Sequence, residues 1–279
     1  MSYFPPDSMI WRIIRHRANL LHGPAAAVLQ VAHPRIGLGV YDHSDFQSDP
    51  TARLHRTLDT VYTMVFDTVD RADVAAGAIE KLHDRVRGDA ASRAVSGPAY
   101  YSAFEMDLLM WVLATLVVAA LDGYERAADK LTGDEKERFY QDMRKLGTFF
   151  RLPCTYGPQT YSHFVLYWNQ HIHDPLLASH PICREIAQAV ARPRRPWFLY
   201  VATLPIQFIY SEILPLHLRE PLGFRSTVFS RAMLCATTVL LRILNRFAPD
   251  SIRYVPHYRH ALKRMGAEQA GATRLSATG

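Results

Sequence analysis

Three histidines, three acidic residues and three arginines crowd the segment HPRIGLGVYDHSDFQSDPTARLHRT, which runs from His33 to Thr57. The segment lies between two stretches that are predicted to be buried helices, and a connection between such helices is normally short and carries few functional groups. Two guanidinium groups and the hydroxyl groups beside them on one helix face suit a carboxylate or a bound oxygen species. A surface stripe that pairs with Asp45 or Asp49 is the competing interpretation. These groups belong to Arg53, Arg56, Thr57 and Thr60, whose i, i+3, i+4, i+7 spacing places them on one face of a helix.

His83 is the second candidate, because it falls on the apolar line of the helix predicted over 71–87. A histidine on a core-facing line needs a hydrogen-bond partner or a metal for its ring nitrogen. The pattern fits either a satisfied core histidine or a metal ligand. Glu80 and His83 also form an E-x-x-H, half of a di-iron signature, but the chain has no second copy. The apolar line consists of Ala75, Ala76, Ile79, Leu82 and Val86.

The elements that must position these residues are helices. Apolar residues recur with helical spacing along nearly the whole chain, and alternating, strand-like segments are almost absent. The sequence predicts an all-α fold, a single large multi-helix domain over 1–266 with buried central helices. A disordered tail is expected over 267–279. A loop is expected after His33, and the helices are predicted at 9–21, 24–33, 50–69, 71–87, 105–130, from 132, 158–173, 182–191, 197–217, 225–247 and 256–265.

Composition and charge narrow the classes of function. With 49% hydrophobic and 21% charged residues over 279 positions, the chain can build a sizeable core. The formal charge of +6 comes from scattered arginines without a recognition motif, so no nucleic-acid partner is expected. Peripheral contact with an anionic membrane fits the charge better. The apolar runs at 108–121 and 197–214 read as buried helices.

Cysteine usage and known motifs narrow the classes further. Three widely spaced cysteines predict a reducing compartment, and arginines near the start predict no secretory signal, so a cytoplasmic location is expected. Motifs for zinc proteases, P-loops, dinucleotide folds, serine hydrolases and covalent haem are absent from the sequence.

Several stretches resemble the MpaB/latex-clearing (rubber oxygenase) catalytic-domain family. They are HPRIGLGVYDHSDFQSDPTARLHRT, VFDT, KLHDRVRG and YYSAFEMDLLMWVLATL, with YGPQTYSHF fitting more loosely. The resemblance implies a mostly helical fold that encloses a pocket for non-covalent haem b. It places the family's axial histidine, the metal ligand, on His83, and the family's distal catalytic residues on Arg53, Arg56 and Thr57.

The resemblance also gives the polar segment a role in holding the cofactor. His43 and Arg53 would hold the haem edge or its propionates, while Arg56 and Thr57 would face bound oxygen. The alternative is that His43 and Asp42 only staple the loop.

Two departures from the family's pattern stand out. Arg56 replaces a lysine of the latex-clearing branch, and arginine is a poor iron ligand because it stays protonated. Asp67 replaces a glycine, which puts a carboxylate or a wider turn near the helix end.

The function implied is oxygen-dependent cleavage of carbon–carbon double bonds in an apolar, isoprenoid or lipid, substrate, with O2 as co-substrate. Three alternatives stay open: other oxidative chemistry on haem, a non-catalytic haem-binding or sensor protein, and a haem-free helical protein with a structural His83. The apolar surfaces of 106–121 and 197–214 would line a substrate channel. Neither an electron donor nor an oligomeric state is specified by the sequence.

Overall fold

Helix α6 (Met106–Ala127) is buried along most of its length in this computed structural model. A helix that is apolar on nearly every face must be covered on all sides. Leu109 and Met110 of this helix belong to one hydrophobic core, whereas Trp111 belongs to another. Helix α6 therefore separates two cores, and the other elements enclose them.

The structure describes residues 2–44, 50–95, 98–191 and 208–277, without the side chains of 50–54 and 268–277. Before α6, the elements are α1 (Met9–Ile14), α2 (Gly23–Ala32), α3 (Pro34–His43), α4 (Pro50–Phe66), α5 (Val69–His83), β1 (Arg87–Asp89) and β2 (Tyr100–Ser102). After it come α7 (Gly133–Gly147), α8 (Tyr161–His171), α9 (Pro181–Ala191), α10 (Leu216–Arg219), α11 (Val228–Phe247), α12 (Asp250–Arg253) and α13 (Pro256–Ala277). Residues 208–213 are helical, and 3-10 turns lie at Arg17–Leu21, Ala91–Arg93 and Thr148–Phe150.

The first core is formed by α1, α4, α6, α7, α8 and α13. Trp11 lies at its centre, where its indole N–H donates to the carbonyl of Val65 at 2.9 Å. Its ring packs edge to face against Phe66, with centroids 5.1 Å apart. The polar end of a buried tryptophan is thereby satisfied while its rings fill the core.

The second core is formed by α2, α3 and α9 with residues 210–224. Trp111 joins it to α6, because its indole N–H donates to the carbonyl of Leu29 at 3.0 Å. Trp168 stacks on Trp111 with ring centroids 5.5 Å apart, and it packs against both cores. The all-α prediction is confirmed, and Thr132 caps α7 in a capping box with Glu135 as the sequence TGDEKE indicates.

The polar segment differs from the expected loop, because Pro34–His43 forms helix α3. Glycine disfavours helices, yet Gly37 and Gly39 allow α3 to approach its neighbours closely. A Cβ on Gly37 would lie 3.4 Å from Ile182, and one on Gly39 would lie 3.1 Å from Val86. Packing against α9 and the strand region outweighs the low helix propensity.

Other differences are local. The chain forms an antiparallel hairpin of β1 and β2, paired from Arg87 with Ser102 to Asp89 with Tyr100, which the sequence did not indicate. Helix α13 continues to Ala277, into the tail expected to be disordered, because this segment is rich in alanine and other helix formers. The 9–21 helix splits after Ile14 into α1 and a 3-10 turn. Part of the apolar run 197–214, residues 197–207, lies outside the described residues.

Gly88 tests the packing of the hairpin. A Cβ at Gly88 would lie 2.6 Å from the hydroxyl oxygen of Tyr101, a residue that is 3% exposed. Gly88→Ala should lower the free energy of unfolding by about 1–3 kcal/mol, measured by urea denaturation, because a buried ring must shift.

Gly77→Ala on α5 is the matched control, since nothing lies within 4 Å of the position that the added methyl group would take. It should raise the free energy of unfolding by about 0.5–1 kcal/mol, as expected for glycine replaced inside a helix. Equal effects of the two substitutions would contradict the packing described here.

Candidate functional site

Helices α4 and α5 form an antiparallel hairpin that positions most of the candidate residues. The turn between them holds Asp67, whose carboxylate accepts the backbone N–H of Thr68 at 2.8 Å. Because the two helices pack side by side, the start of α4 and the end of α5 lie at the same end of the pair. Arg53 and Arg56 lie near the start of α4, and His83 is the last residue of α5.

His83 is partly buried and has an unsatisfied ring nitrogen. Its Nδ1 is buried and has no hydrogen-bond partner among the described residues. Its ring packs edge to face on Phe104, with centroids 5.9 Å apart. Burial lowers the pKa of His83, so the imidazole is neutral at pH 7 and keeps a lone pair for a metal.

The apolar line predicted on α5 is only partly correct. Ala75, Ala76 and Ile79 pack against the first core, but Leu82 is 57% exposed. The helix ends at His83, and the chain then turns into β1. His83 therefore lies at the edge of the core rather than inside it.

Arg151 and Phe104 complete the surroundings of His83, and sequence reasoning missed both. Arg151 forms an ion pair with Glu80, and its guanidinium lies 4.8 Å from the centroid of the Phe104 ring. Arg151 is exposed and has a left-handed φ of 63°, which is uncommon for a residue other than glycine. Phe104 stands in YYSAFEMD, a stretch that the family resemblance includes, so that stretch carried a signal.

The di-iron alternative finds no support. Glu80 is already paired with Arg151. Within the described part of the chain, no group of three or more His, Cys, Asp or Glu side chains could hold a metal ion.

The distal candidates lie on α4. Arg56 and Thr57 are exposed. The Thr60 hydroxyl donates to the backbone carbonyl of Arg56 at 2.8 Å, so it makes a local hydrogen bond within the helix. The Arg53 side chain lies outside the described residues, as do Asp45 and Asp49, the expected ion-pair partners.

His43 contacts the strand that follows His83. Its Nε2 lies 3.1 Å from the carbonyl oxygen of Arg87. The neighbouring Asp42 accepts the Tyr101 hydroxyl at 2.9 Å and pairs with Arg93 at 3.3 Å. In this structure, His43 and Asp42 thus hold the β-hairpin against the end of α3.

Arg35 is a third residue of the polar segment with a defined role, which sequence reasoning missed. It is 7% exposed and forms an ion pair with Glu105, the residue before α6. Glu105 also accepts the backbone N–H of Ser102 at 2.7 Å. The pair joins α3, β2 and α6 beside Phe104. The available signal was an arginine that directly precedes the apolar run 36–41.

Asp67, the departure from the family's glycine, has a structural role. Its carboxylate pairs with Arg264 of α13 at 2.7 Å and with Arg71 at 3.0 Å. Arg264 also donates to the carbonyl of Phe66 at 2.9 Å. Asp67 therefore docks α13 onto the turn between α4 and α5.

Two cavities lie close to these elements. One of about 200 Å³ lies between α4 and α13, beside Tyr62 and His257. The other, of about 480 Å³, lies over the β-hairpin beside Tyr100 and Glu105. His83 lines neither of these two cavities, so neither of them is the haem pocket expected around His83.

The fold and these residues define an all-α protein with a candidate site where a helix hairpin meets a central apolar helix. The chain belongs to the family described as ER-bound oxygenase mpaB/B'/rubber oxygenase, catalytic domain, whose model matches residues 11–243. It is thus a member of an oxygenase family. Two relatives are similar over 187 residues at 27% identity, which covers 65% of this chain and 71% of theirs. They are uncharacterized proteins of Mycobacterium bovis and Mycobacterium tuberculosis. No solved structure matches the chain significantly.

Buried histidines predict acid sensitivity. Burial lowers the pKa of His33 and that of His16 to about 4. Unfolded imidazoles take up a proton below about pH 6.5, whereas these two resist protonation until about pH 4. The free energy of unfolding should therefore decrease as the pH falls through this window. Urea denaturation across the window measures it.

His33→Gln isolates one contribution. At about pH 5, this variant should take up roughly one proton fewer on unfolding, so its stability depends less on pH. The exposed His163 is the control, and His163→Gln should keep the dependence of the parent. An unchanged pH dependence in His33→Gln would overturn the assignment.

Proposed function

We propose that the protein is a haem b-dependent oxygenase that acts on an apolar substrate with O2 as co-substrate. Membership of an oxygenase family supports the reaction class. The observation that carries the cofactor is the buried Nδ1 of His83, which has no partner among the described residues. A buried ring nitrogen without a partner is costly unless it binds something.

His83 would hold the haem iron. Its imidazole is neutral at pH 7, which a metal ligand must be, and the edge of the Phe104 ring restricts its orientation. The cofactor would be held without covalent bonds, since the sequence has no C-x-x-C-H motif. Bound haem b would supply the activation of O2.

Arg53, Arg56 and Thr57 would act on the substrate side. A guanidinium stays protonated and presents several donors, so Arg56 would stabilise negative charge on oxygen rather than ligate a metal. The Thr57 hydroxyl would donate a hydrogen bond or relay a proton there. Arg53 and His43 would hold the carboxylates of the cofactor, and the exposed position of His43 beside Arg87 is compatible with that role.

The substrate would be an apolar chain with a carbon–carbon double bond, of the isoprenoid or lipid class. Part of the apolar surface of 106–121 packs into the two cores, and the rest of it, together with that of 197–214, would line the substrate channel. Apolar walls would exclude water and so keep the apolar substrate in place. We propose no nucleic-acid partner and a cytoplasmic site of action.

The cofactor is tested on the full chain purified with added hemin. We expect a red-brown protein whose haem extracts into acidified organic solvent and gives the pyridine haemochrome of haem b. His83→Ala should fold, lose about 1–3 kcal/mol of stability and bind haem poorly, because the ligand is removed and a small cavity is left. Free imidazole should restore part of the haem spectrum.

The exposed His260 of α13 provides the control, and His260→Ala should keep the parent spectrum. A colourless protein that takes up no hemin would favour the haem-free alternative with a structural His83. If His83→Ala keeps a histidine-ligated spectrum, the ligand is another histidine, with His33, His43, His163 and His171 to be replaced next.

The distal assignment has its own test. Arg56→Ala and Thr57→Ala should keep the haem spectrum and lose most of the oxygen-dependent turnover of an alkene substrate, by about tenfold or more, because one or two hydrogen bonds to the reacting oxygen are lost. Product analysis under O2 measures this. Parent rates in both variants would show that these residues do not act on oxygen. Haem binding without turnover in the parent would favour the sensor alternative.

A further inference from the structure

Helix α11 presents an apolar face that the described residues leave open. Phe229, Leu240 and Phe247 are 57%, 54% and 76% exposed. Helical spacing places these residues on one side together with Ala232, Ala236, Val239 and Ile243. We name this side the α11 surface. Contiguous exposed apolar patches on folded proteins mark interaction sites.

The opposite side of α11 is fixed to the protein. Ser230 is buried, and Leu234 and Leu241 are half-buried on that side. The helix packs against α6, and Arg242 donates from Nε to the carbonyl of Arg126 at 2.9 Å. Near its start, the Ser230 hydroxyl donates to the Glu212 carboxylate at 2.5 Å. The α11 surface is therefore a rigid face and not a loose segment.

The charges of α11 identify what this face suits. Three arginines, Arg231, Arg242 and Arg246, follow one edge of the α11 surface, and the helix contains no acidic residue. Arginine side chains can lie along apolar surface while the guanidinium reaches outward. An apolar face with a basic edge is the arrangement that binds an anionic lipid surface.

The orientation follows from the same contacts. By length and composition, α11 is one of two described helices that could cross a membrane, the other being the buried α6. Because one side of α11 is held against α6, the helix cannot be surrounded by lipid. It is suited to lie in the plane of the interface with only its outer side inserted.

We infer that the α11 surface docks the protein onto an anionic lipid membrane. Phe229, Leu240, Ile243 and Phe247 enter the boundary between headgroups and acyl chains, and Arg231 and Arg246 contact lipid phosphates. This inference is independent of the haem proposal, because it concerns α11 and not the hairpin of α4 and α5.

Vesicle flotation of the full chain tests the inference. We expect binding to phosphatidylcholine vesicles that contain about one-third phosphatidylglycerol, weaker binding to phosphatidylcholine alone, and release by high salt. Leu240→Glu with Ile243→Glu should abolish flotation. Arg231→Gln with Arg246→Gln should weaken it by about 25-fold, since each basic residue contributes about fivefold.

Val74→Glu is the control, because Val74 is 74% exposed and belongs to α5 rather than to the α11 surface. This variant should float like the parent, and circular dichroism should show that every variant is folded. Absence of flotation in the parent, or equal flotation of the Leu240→Glu, Ile243→Glu variant, overturns the inference. The inference is also overturned if the parent does not bind vesicles but forms a concentration-dependent dimer that the Leu240→Glu, Ile243→Glu variant disrupts. The α11 surface would then join two copies of the chain.

Discussion

The burial of α6 is the constraint on which the rest of the structure depends. Its apolar residues point in every direction, so covering only one side would leave a large apolar area in water. One set of helices packs around Leu109 and Met110, and the other packs around Trp111. The stacked Trp111 and Trp168 link the two cores. The burial of α6 also determines where its neighbours lie. Helices α2, α7 and α11 pack directly against α6, and α8 packs against α7.

The candidate site inherits its geometry from the start of α6. Glu105 stands just before the helix and holds Arg35 of α3, and it also fixes β2 through the backbone of Ser102. This arrangement places Phe104 against the ring of His83. A buried ion pair is rarely a large source of stability, but removing one partner leaves an expensive unpaired charge. Arg35 and Glu105 are thus better understood as setting the register of three elements beside the site than as a stabilising contact.

The helices that carry the candidate residues were easier to predict from the sequence than the contacts around those residues. The sequence predicts Arg56, Thr57 and Thr60 on one helix and His83 within the next, and both helices are present, but His83 is the last residue of its helix rather than an interior one. Leu82 was wrongly predicted to face the core, because periodicity does not reveal where a helix extends beyond the core. Arg151 could not be foreseen, since its ion pair with Glu80 joins positions 71 residues apart. Spacing along one helix is local information, whereas such contacts arise only when distant elements meet.

By itself, the sequence determined the all-α class, the buried α6, the capped start of α7 and the two consecutive helices that carry the candidates. These properties depend on apolar periodicity and capping residues, which act over a few positions. Tertiary structure alone decided that Pro34–His43 is a helix, because close packing at Gly37 and Gly39 outweighs their low propensity. It also decided that Asp67 binds α13 rather than widening a turn. Likewise, the pattern of α11 showed a helix, but only the packed structure showed that its apolar face points outward. The physical reason is that burial depends on what the rest of the chain places alongside a helix.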